Sequence, residues 1–161
     1  MIEVQVDTIR VRLTGRDRLI LLKEVGQERQ LPIYIGVAEA DAISLELKGY
    51  RHQRPFTHDL LLSCVQALGG QLQYVLLNEL RKDIFYALLH IVQDGREIDI
   101  DARSSDSIAI AVRAKVPIYV DEKVMEEAGV WPTQEVEMNQ TELAVFRDFV
   151  DTLDLDDLGD A

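Results

Sequence analysis

Ile33-Tyr34-Ile35-Gly36-Val37-Ala38-Glu39-Ala40-Asp41-Ala42-Ile43 and Ile98-Asp99-Ile100-Asp101-Ala102-Arg103-Ser104-Ser105-Asp106-Ser107-Ile108 carry one pattern twice, 65 residues apart. Each begins as I-x-I, the alternation of a half-buried strand, then passes to small-Asp-small-Ile at helical spacing. The chain upstream of each copy reads alike. Ile2, Val4 and Val6 alternate with polar residues, while Ile9, Val11 and Leu13 alternate in the opposite parity. One strand therefore changes phase at a bulge near Asp7-Thr8. A turn at 14–17, a strand at 18–25, a second turn and a strand at 31–35 follow. Pro32 cannot donate to a ladder, so it places that last strand at an edge or Pro32 itself at the strand's start. Residues 38–48 then read as a helix. In the second copy, strands at 71–80 and 83–93 precede the hairpin signal Asp94-Gly95, a strand at 96–102 and a helix at 104–115. The pattern predicts an α+β fold built from a duplicated β-β-β-α unit, with a mostly antiparallel, mixed sheet packed against helices.

The segments outside the repeat complete the outline. Leu60, Leu61, Leu62, Val65 and Leu68 make a helix that is apolar on most sides, which predicts its burial and makes Cys64 inert packing. Residues 116–120 read as a short last strand, and Trp131-Pro132 ends the body. The expected division is a domain over 1–130, then a linker, an amphipathic helix and an acidic tail over 131–161. Asn139 and Glu142 have capping-box spacing for a helix at 139–153 bearing Leu143, Phe146, Phe149, Val150 and Leu153.

Composition narrows the class. The chain has 161 residues, 47% hydrophobic and 29% charged, which is globular and not disordered composition. No apolar run reaches the roughly 20 residues of a membrane helix, and the N-terminus starts directly as a strand without the regions of a signal peptide. One cysteine excludes a disulfide framework, and a cytoplasmic location is the simplest expectation. The net charge of -12 argues against phosphate contacts, but its distribution weakens that objection. Residues 1–120 hold 15 Lys and Arg against 16 Asp and Glu, whereas residues 121–161 hold 2 against 13. A basic stretch, Lys48, Arg51, His52, Arg54 and His58, lies inside the near-neutral body.

Two clusters could carry chemistry. In Arg54-Pro55-Phe56-Thr57-His58-Asp59, Thr57 suits an N-cap and Asp59 the positive helix terminus. Helix capping accounts for those two and leaves Arg54 and His58 unexplained. An imidazole, a guanidinium and a carboxylate at a helix start suit binding and cleavage of a phosphodiester. In Arg103-Ser104-Ser105-Asp106, Ser104 reads as the N-cap and Asp106 again faces the dipole. With Glu39, Asp41 and Asp101, several carboxylates could gather at one end of the molecule, as Mg²⁺ sites require. There is no P-loop, no G-x-G-x-x-G, no G-x-S-x-G and no cysteine pair for zinc. His90 falls in an apolar strand and reads as a satisfied core or edge residue.

The stretches Leu31-Pro32-Ile33-Tyr34-Ile35-Gly36, Arg54-Pro55-Phe56-Thr57-His58-Asp59-Leu60, Ala102-Arg103-Ser104-Ser105-Asp106-Ser107-Ile108-Ala109 and Val116-Pro117-Ile118-Tyr119-Val120 together resemble the bifunctional nuclease domain family over about residues 1–130. The acidic, Phe-containing tail resembles the end of many bacterial members. The resemblance implies DNase and RNase activity. On those motifs the chemistry assigns Arg54, His58, Asp59, Arg103 and Asp106 to a nuclease centre in a homodimer. Asp59, Asp106 and Glu39 would hold a divalent ion, Mg²⁺ or Mn²⁺, that activates water, with no organic cofactor. Arg54 and Arg103 would clamp the phosphate, and His58 would serve as acid or base. The competing expectation is a non-catalytic interaction or regulatory domain, whose acidic C-terminal helix meets a basic protein partner.

Overall fold

The computed structural model describes residues 1–11, 17–50 and 53–132. Strand β1 (Ile2–Val11) pairs antiparallel with β2 (Arg18–Glu24), and the register shifts between Val6 and Thr8. The change of parity in the sequence is thus a real bulge. β2 continues into β3 (Gln30–Ile35), an edge strand of the sheet, where Pro32 faces Leu21. Helix α1 (Val37–Leu47) and helix α2 (Thr57–Ala67) follow. The second meander is β4 (Gly70–Arg81), β5 (Ile84–Gln93) and β6 (Arg96–Arg103), leading into helix α3 (Ser104–Ala114). Asp94 and Gly95 both take positive φ, 50° and 75°, the tight turn that an Asp-Gly pair favours between β5 and β6. A short strand β7 (Ile118–Val120) and helix α4 (Glu122–Ala128) complete the described elements.

The seven strands form one sheet in the order β3-β2-β1-β7-β4-β5-β6. Every neighbouring pair is antiparallel except β7 with β4, which is parallel. The first strand of each meander therefore flanks β7, and each meander runs outward to an edge before handing over to a helix. The sheet is mixed and curled, with α4 touching both β3 and β4. In order of elements the halves agree, but the 65-residue offset does not put their helices in step. It would set Ser104, the first residue of α3, opposite Glu39, the third of α1. Asp41 consequently falls fifth in α1, whereas Asp106 falls third in α3.

The core is continuous across both meanders. Ile20, Leu22 and Leu31 from the first half and Leu77 from the second are fully enclosed, together with Ile43 of α1 and Ile108 of α3. α3 is the most deeply buried helix, with Ile108, Ala109, Ile110 and Ala111 all inside. Its small residues let the chain approach the sheet closely. His90 lies on β5 between β4 and β6 and is satisfied by both neighbours: Nδ1 lies 2.8 Å from Asp99 Oδ1 and the ring stacks on Tyr74 with centroids 4.4 Å apart. No described helix is long and apolar enough to cross a membrane.

Two expectations fail here. α2 is not buried: none of its residues is enclosed, and Leu60 and Leu61 are substantially exposed. Only Leu62 and Val65 pack on the core, because α2 lies against α3 and β4 along one side. Apolar composition all round a helix does not say how many sides its neighbours cover. Cys64, on an uncovered side, is exposed and is not packing at all. The sequence reading also passed over α4, although Asp121 caps it by accepting the Lys123 N–H at 3.0 Å. The turn at 14–17, except Asp17, and the helix expected at 139–153 lie outside the described residues.

α4 anchors itself through Val124 and the fully buried Met125. Met125→Ala should therefore cost about 2–5 kcal/mol of stability. Urea unfolding should show a lower midpoint at unchanged slope. A midpoint equal to that of the parent would place α4 outside the cooperative unit.

Candidate active site where three helices begin

α1, α2 and α3 each carry one carboxylate in the first turn, Glu39, Asp59 and Asp106. An acid there faces the positive end of the helix and its unpaired N–H groups. The starts of the three helices line one concavity of about 420 Å³, whose wall includes Glu39, Asp41, Thr57, His58, Arg103 and Asp106. The fold thus brings both sequence clusters, 48 residues apart at His58 and Asp106, to one place.

The contacts are specific. His58 Nε2 lies 3.0 Å from Asp106 Oδ1. Arg103 donates from Nε to Asp106 Oδ2 at 2.7 Å and from a terminal nitrogen to Glu39 Oε1 at 2.9 Å. Glu39 of α1, Arg103 at the end of β6, Asp106 of α3 and His58 of α2 therefore form one chain of charge-assisted bonds. The Arg103 side chain remains 69% exposed, while those of His58 and Asp106 are mostly covered. Gly36 fits the same corner, because a Cβ there would collide with the Glu39 carboxylate.

A second network lies directly behind. Arg113 of α3, its side chain 4% exposed, donates from Nε to Asp59 Oδ1 at 2.7 Å. Its terminal nitrogens reach the carbonyl of Ala109 at 2.7 Å and that of Ala42 at 3.1 Å. Asp59 uses its other oxygen, Oδ2, to accept the Phe56 N–H at 2.8 Å. The expected caps are thereby replaced. Phe56 holds the N-cap position and Thr57 is the first helical residue, since Asp59 reaches back to satisfy the turn. Likewise Arg103 holds the N-cap position of α3, and Ser104 is buried inside the helix with no side-chain cap.

The electrostatics follow from these partners. Burial pushes the Asp106 carboxyl up, but the bonds from Arg103 and His58 and their charges outweigh it, holding it below the ordinary value. For Asp59 burial also raises, and the Phe56 N–H with the Arg113 guanidinium prevails, again holding the carboxyl low. Asp106 and then Glu39 keep the Arg103 guanidinium firmly charged.

The residues expected to form one centre are thus divided. His58, Arg103, Asp106 and Glu39 share the concavity. Arg54 and Asp59 line an adjoining cleft of about 270 Å³, on the far side of Phe56, and Arg54 is exposed. For a divalent ion, the donor set does not fit as arranged. Glu39 and Asp106 are joined through Arg103, Asp59 is taken by Arg113, and among the described residues no three His, Cys, Asp or Glu side chains group as ligands. Arg113 was not singled out in the sequence. Its signal is a lone cation ending the apolar run 108–112, where a guanidinium needs buried acceptors.

The profile described as the bifunctional nuclease domain matches residues 20–133. An uncharacterized protein of Mycobacterium tuberculosis is 41% identical over 161 residues, covering 96% of each chain. Bifunctional nuclease 1 of Oryza sativa subsp. japonica is 29% identical over 126 residues, which is 76% of this chain and 38% of that protein. Bifunctional nuclease 2 of Arabidopsis thaliana is 26% identical over 115 residues, 70% of this chain and 35% of that protein.

Two outcomes follow from the networks. Arg113→Met leaves Asp59 and two backbone carbonyls without their donor and should cost about 1–3 kcal/mol in urea unfolding. Arg113→Lys should recover only part, because an ammonium cannot serve three directions with a planar fork. Full stability in Arg113→Met would remove this residue from the framework. The depressed carboxyls set a pH dependence. Asp106 gains stability from its partners that is fully present above about 3.8, its unfolded value, and is lost as pH falls through the lower folded value. The melting-temperature gap between the parent and Asp106→Asn should therefore be widest near neutrality and narrow on acidification below that value. A gap independent of pH would contradict the ion-paired state of Asp106.

Proposed function

We propose that the chain, which belongs to the bifunctional nuclease domain family, hydrolyses phosphodiester bonds of DNA and RNA in the concavity where α1, α2 and α3 begin. The observation that carries the reading is the juxtaposition of His58, Asp106 and the exposed Arg103 in one lined hollow. The plant relatives bear the name bifunctional nuclease and share the body of the chain, which supports the substrate class.

The chemistry uses this chain's own groups. Arg103 keeps donors free beyond those given to Glu39 and Asp106, and it presents them to the phosphate oxygens. With Nε2–H donated to Asp106, the imidazole of His58 keeps a lone pair on Nδ1 for a proton. His58 takes that proton from water as the water oxygen bonds to phosphorus. The bond from phosphorus to the leaving oxygen breaks, and the imidazolium returns the proton to the departing alkoxide. Asp106 orients the ring and stabilises its charged form, while Arg103 balances the charge that grows on the phosphoryl oxygens. Three helix starts aimed at the hollow add to the attraction for an anion. Asp59 acts at one remove, holding the first turn of α2 and hence His58. A divalent ion would have to displace Arg103 from Glu39 and Asp106, so these steps run through the side chains alone.

One observation favours a second reading, a module that docks other proteins. Leu60, Leu61 and Leu68 leave one side of α2 apolar and exposed, as an interaction surface would. Nucleic-acid binding separates the two, since a nuclease binds more weakly as salt rises.

The direct assay is cleavage of fluorescent DNA and RNA by protein purified in parallel, in EDTA and with Mg²⁺ or Mn²⁺. His58→Ala should lower turnover by about 10²–10⁴-fold, and Arg103→Ala by about 10²–10³-fold. Unchanged cleavage by His58→Ala would move the activity elsewhere, a contaminant included.

A further inference from the structure

The edge strand β6 is uncovered on the side of the sheet that carries the core. Ile98 stands opposite Ile91 of β5 and Ile100 opposite Leu89, so all four point to the helix side. Ile91 and Leu89 are buried, yet Ile98 and Ile100 stay 36% and 43% exposed. The helix layer stops short of them, because α2 packs mainly on α3 and β4. An apolar groove of about 130 Å³ runs between the end of α2 and β6, walled by Val65, Leu68, Ile91, Ile98 and Ile100. Gln93 donates to the Leu68 carbonyl at 2.6 Å and so pins the end of α2 beside β5. The opposite face of β6 carries Glu97, Asp99 and Asp101. Asp99 is held by His90, whereas Glu97 and Asp101 are exposed and stand opposite the uncharged Val92 and Leu88 of β5. Among the described strands, β6 pairs on one side only.

We propose that β6 takes an extended segment of another protein, alternately basic and apolar, as an eighth strand of the seven-stranded sheet. Every second residue of an edge strand turns its N–H and C=O away from its neighbour, and an incoming strand satisfies them. The apolar side chains of that strand enter the groove beside Ile98, Ile100 and Leu68. Its Lys or Arg side chains fall on the other face and meet Glu97 and Asp101. Charge decides against the two occupants that the chain itself could supply. A second copy paired antiparallel through its own β6 opposes carboxylates in every register that matches the isoleucines. Ile98 opposite Ile100 sets Glu97 against Asp101, and Ile100 opposite its own copy sets Asp99 against Asp101. Ile98 opposite its own copy sets Glu97 against Asp99. Like charges directly opposite destabilise a strand pair. Residues 133–161 hold one Arg against nine Asp and Glu, so they are repelled by the same face. None of these groove and acid residues of β6 lines the concavity, so docking here is independent of cleavage there.

The test is fluorescence anisotropy of a labelled, alternating Lys-Val octapeptide titrated with the full chain. Binding should weaken as salt rises, and an alternating Glu-Val octapeptide should not bind. A block peptide of four Lys then four Val has the same charge but cannot sort it by face. It should bind at least about tenfold more weakly. Ile98→Thr and Ile100→Thr keep a β-branched side chain, and each should weaken binding by roughly tenfold. Glu97→Gln combined with Asp101→Asn should weaken it too and flatten its salt dependence. Equal binding of the alternating and block peptides, or of parent and Ile100→Thr, would overturn the docked strand. So would the absence of binding at about 1 mM peptide. Sedimentation showing a dimer that Ile100→Thr dissociates would overturn it in favour of a second copy. Peptide binding that appears only in a Phe146→Ser, Phe149→Ser variant would overturn it in favour of the chain's own C-terminal stretch.

Discussion

A buried guanidinium must find acceptors, and Arg113 finds them on three helices at once. It sits on α3, takes the Asp59 carboxylate from α2, the Ala42 carbonyl from α1 and its own Ala109 carbonyl. Losing any of these partners would leave a charge or a carbonyl unsatisfied in a covered place, which costs far more than the bond nominally gains. The helices are therefore locked in relative position by a polar constraint and not by apolar packing alone. α2 needs that lock most, because it has no enclosed residue of its own. The orientation of His58, one residue before Asp59, follows from it.

The outer network depends on the inner one and differs from it in energy. Arg103 is largely exposed, so its bonds to Glu39 and Asp106 are screened and contribute little to stability. Their value is positional. Two carboxylates share one guanidinium, which is largely exposed and lines the concavity. Placing acids in the first turns of three helices stabilises each helix start, and pairing them with Arg103 and Arg113 prevents the hollow from repelling an anion. Most of the excess acid behind the net charge of -12 lies beyond residue 120 in the sequence, outside the segments that line this hollow.

Much of the sheet was legible in the sequence, and for a local reason. The parity change at Asp7-Thr8, the Asp94-Gly95 turn and the edge position of Pro32 are each dictated by one or two residues, so reading them needs no knowledge of the rest. The α+β class followed from these strands and the helices between them. Burial of α2 and of Cys64 was misread because enclosure depends on which neighbours arrive, and among the described elements α2 packs mainly on α3 and β4. The caps were misassigned because a side chain three residues on, Asp59, did the work expected of Thr57. α4 was missed although Asp121 signals its start, since seven residues offer too short a period to stand out. In the site, the residue types were legible and their grouping was not. Glu39 meets Arg103 across 64 positions, and Asp59 meets Arg113 across 54, distances that only the fold can close.

An ionised Asp106 can only accept, so its bond to His58 leaves Nε2 of the neutral ring donating and Nδ1 bare. Nitrogen-15 spectra of the neutral His58 ring report this directly. The account predicts one protonated nitrogen, assigned to Nε2, and one bare nitrogen, Nδ1, with the distinction lost in Asp106→Asn and blurred in Arg113→Met. Two averaged nitrogens in the parent protein, or a proton fixed on Nδ1, would contradict it.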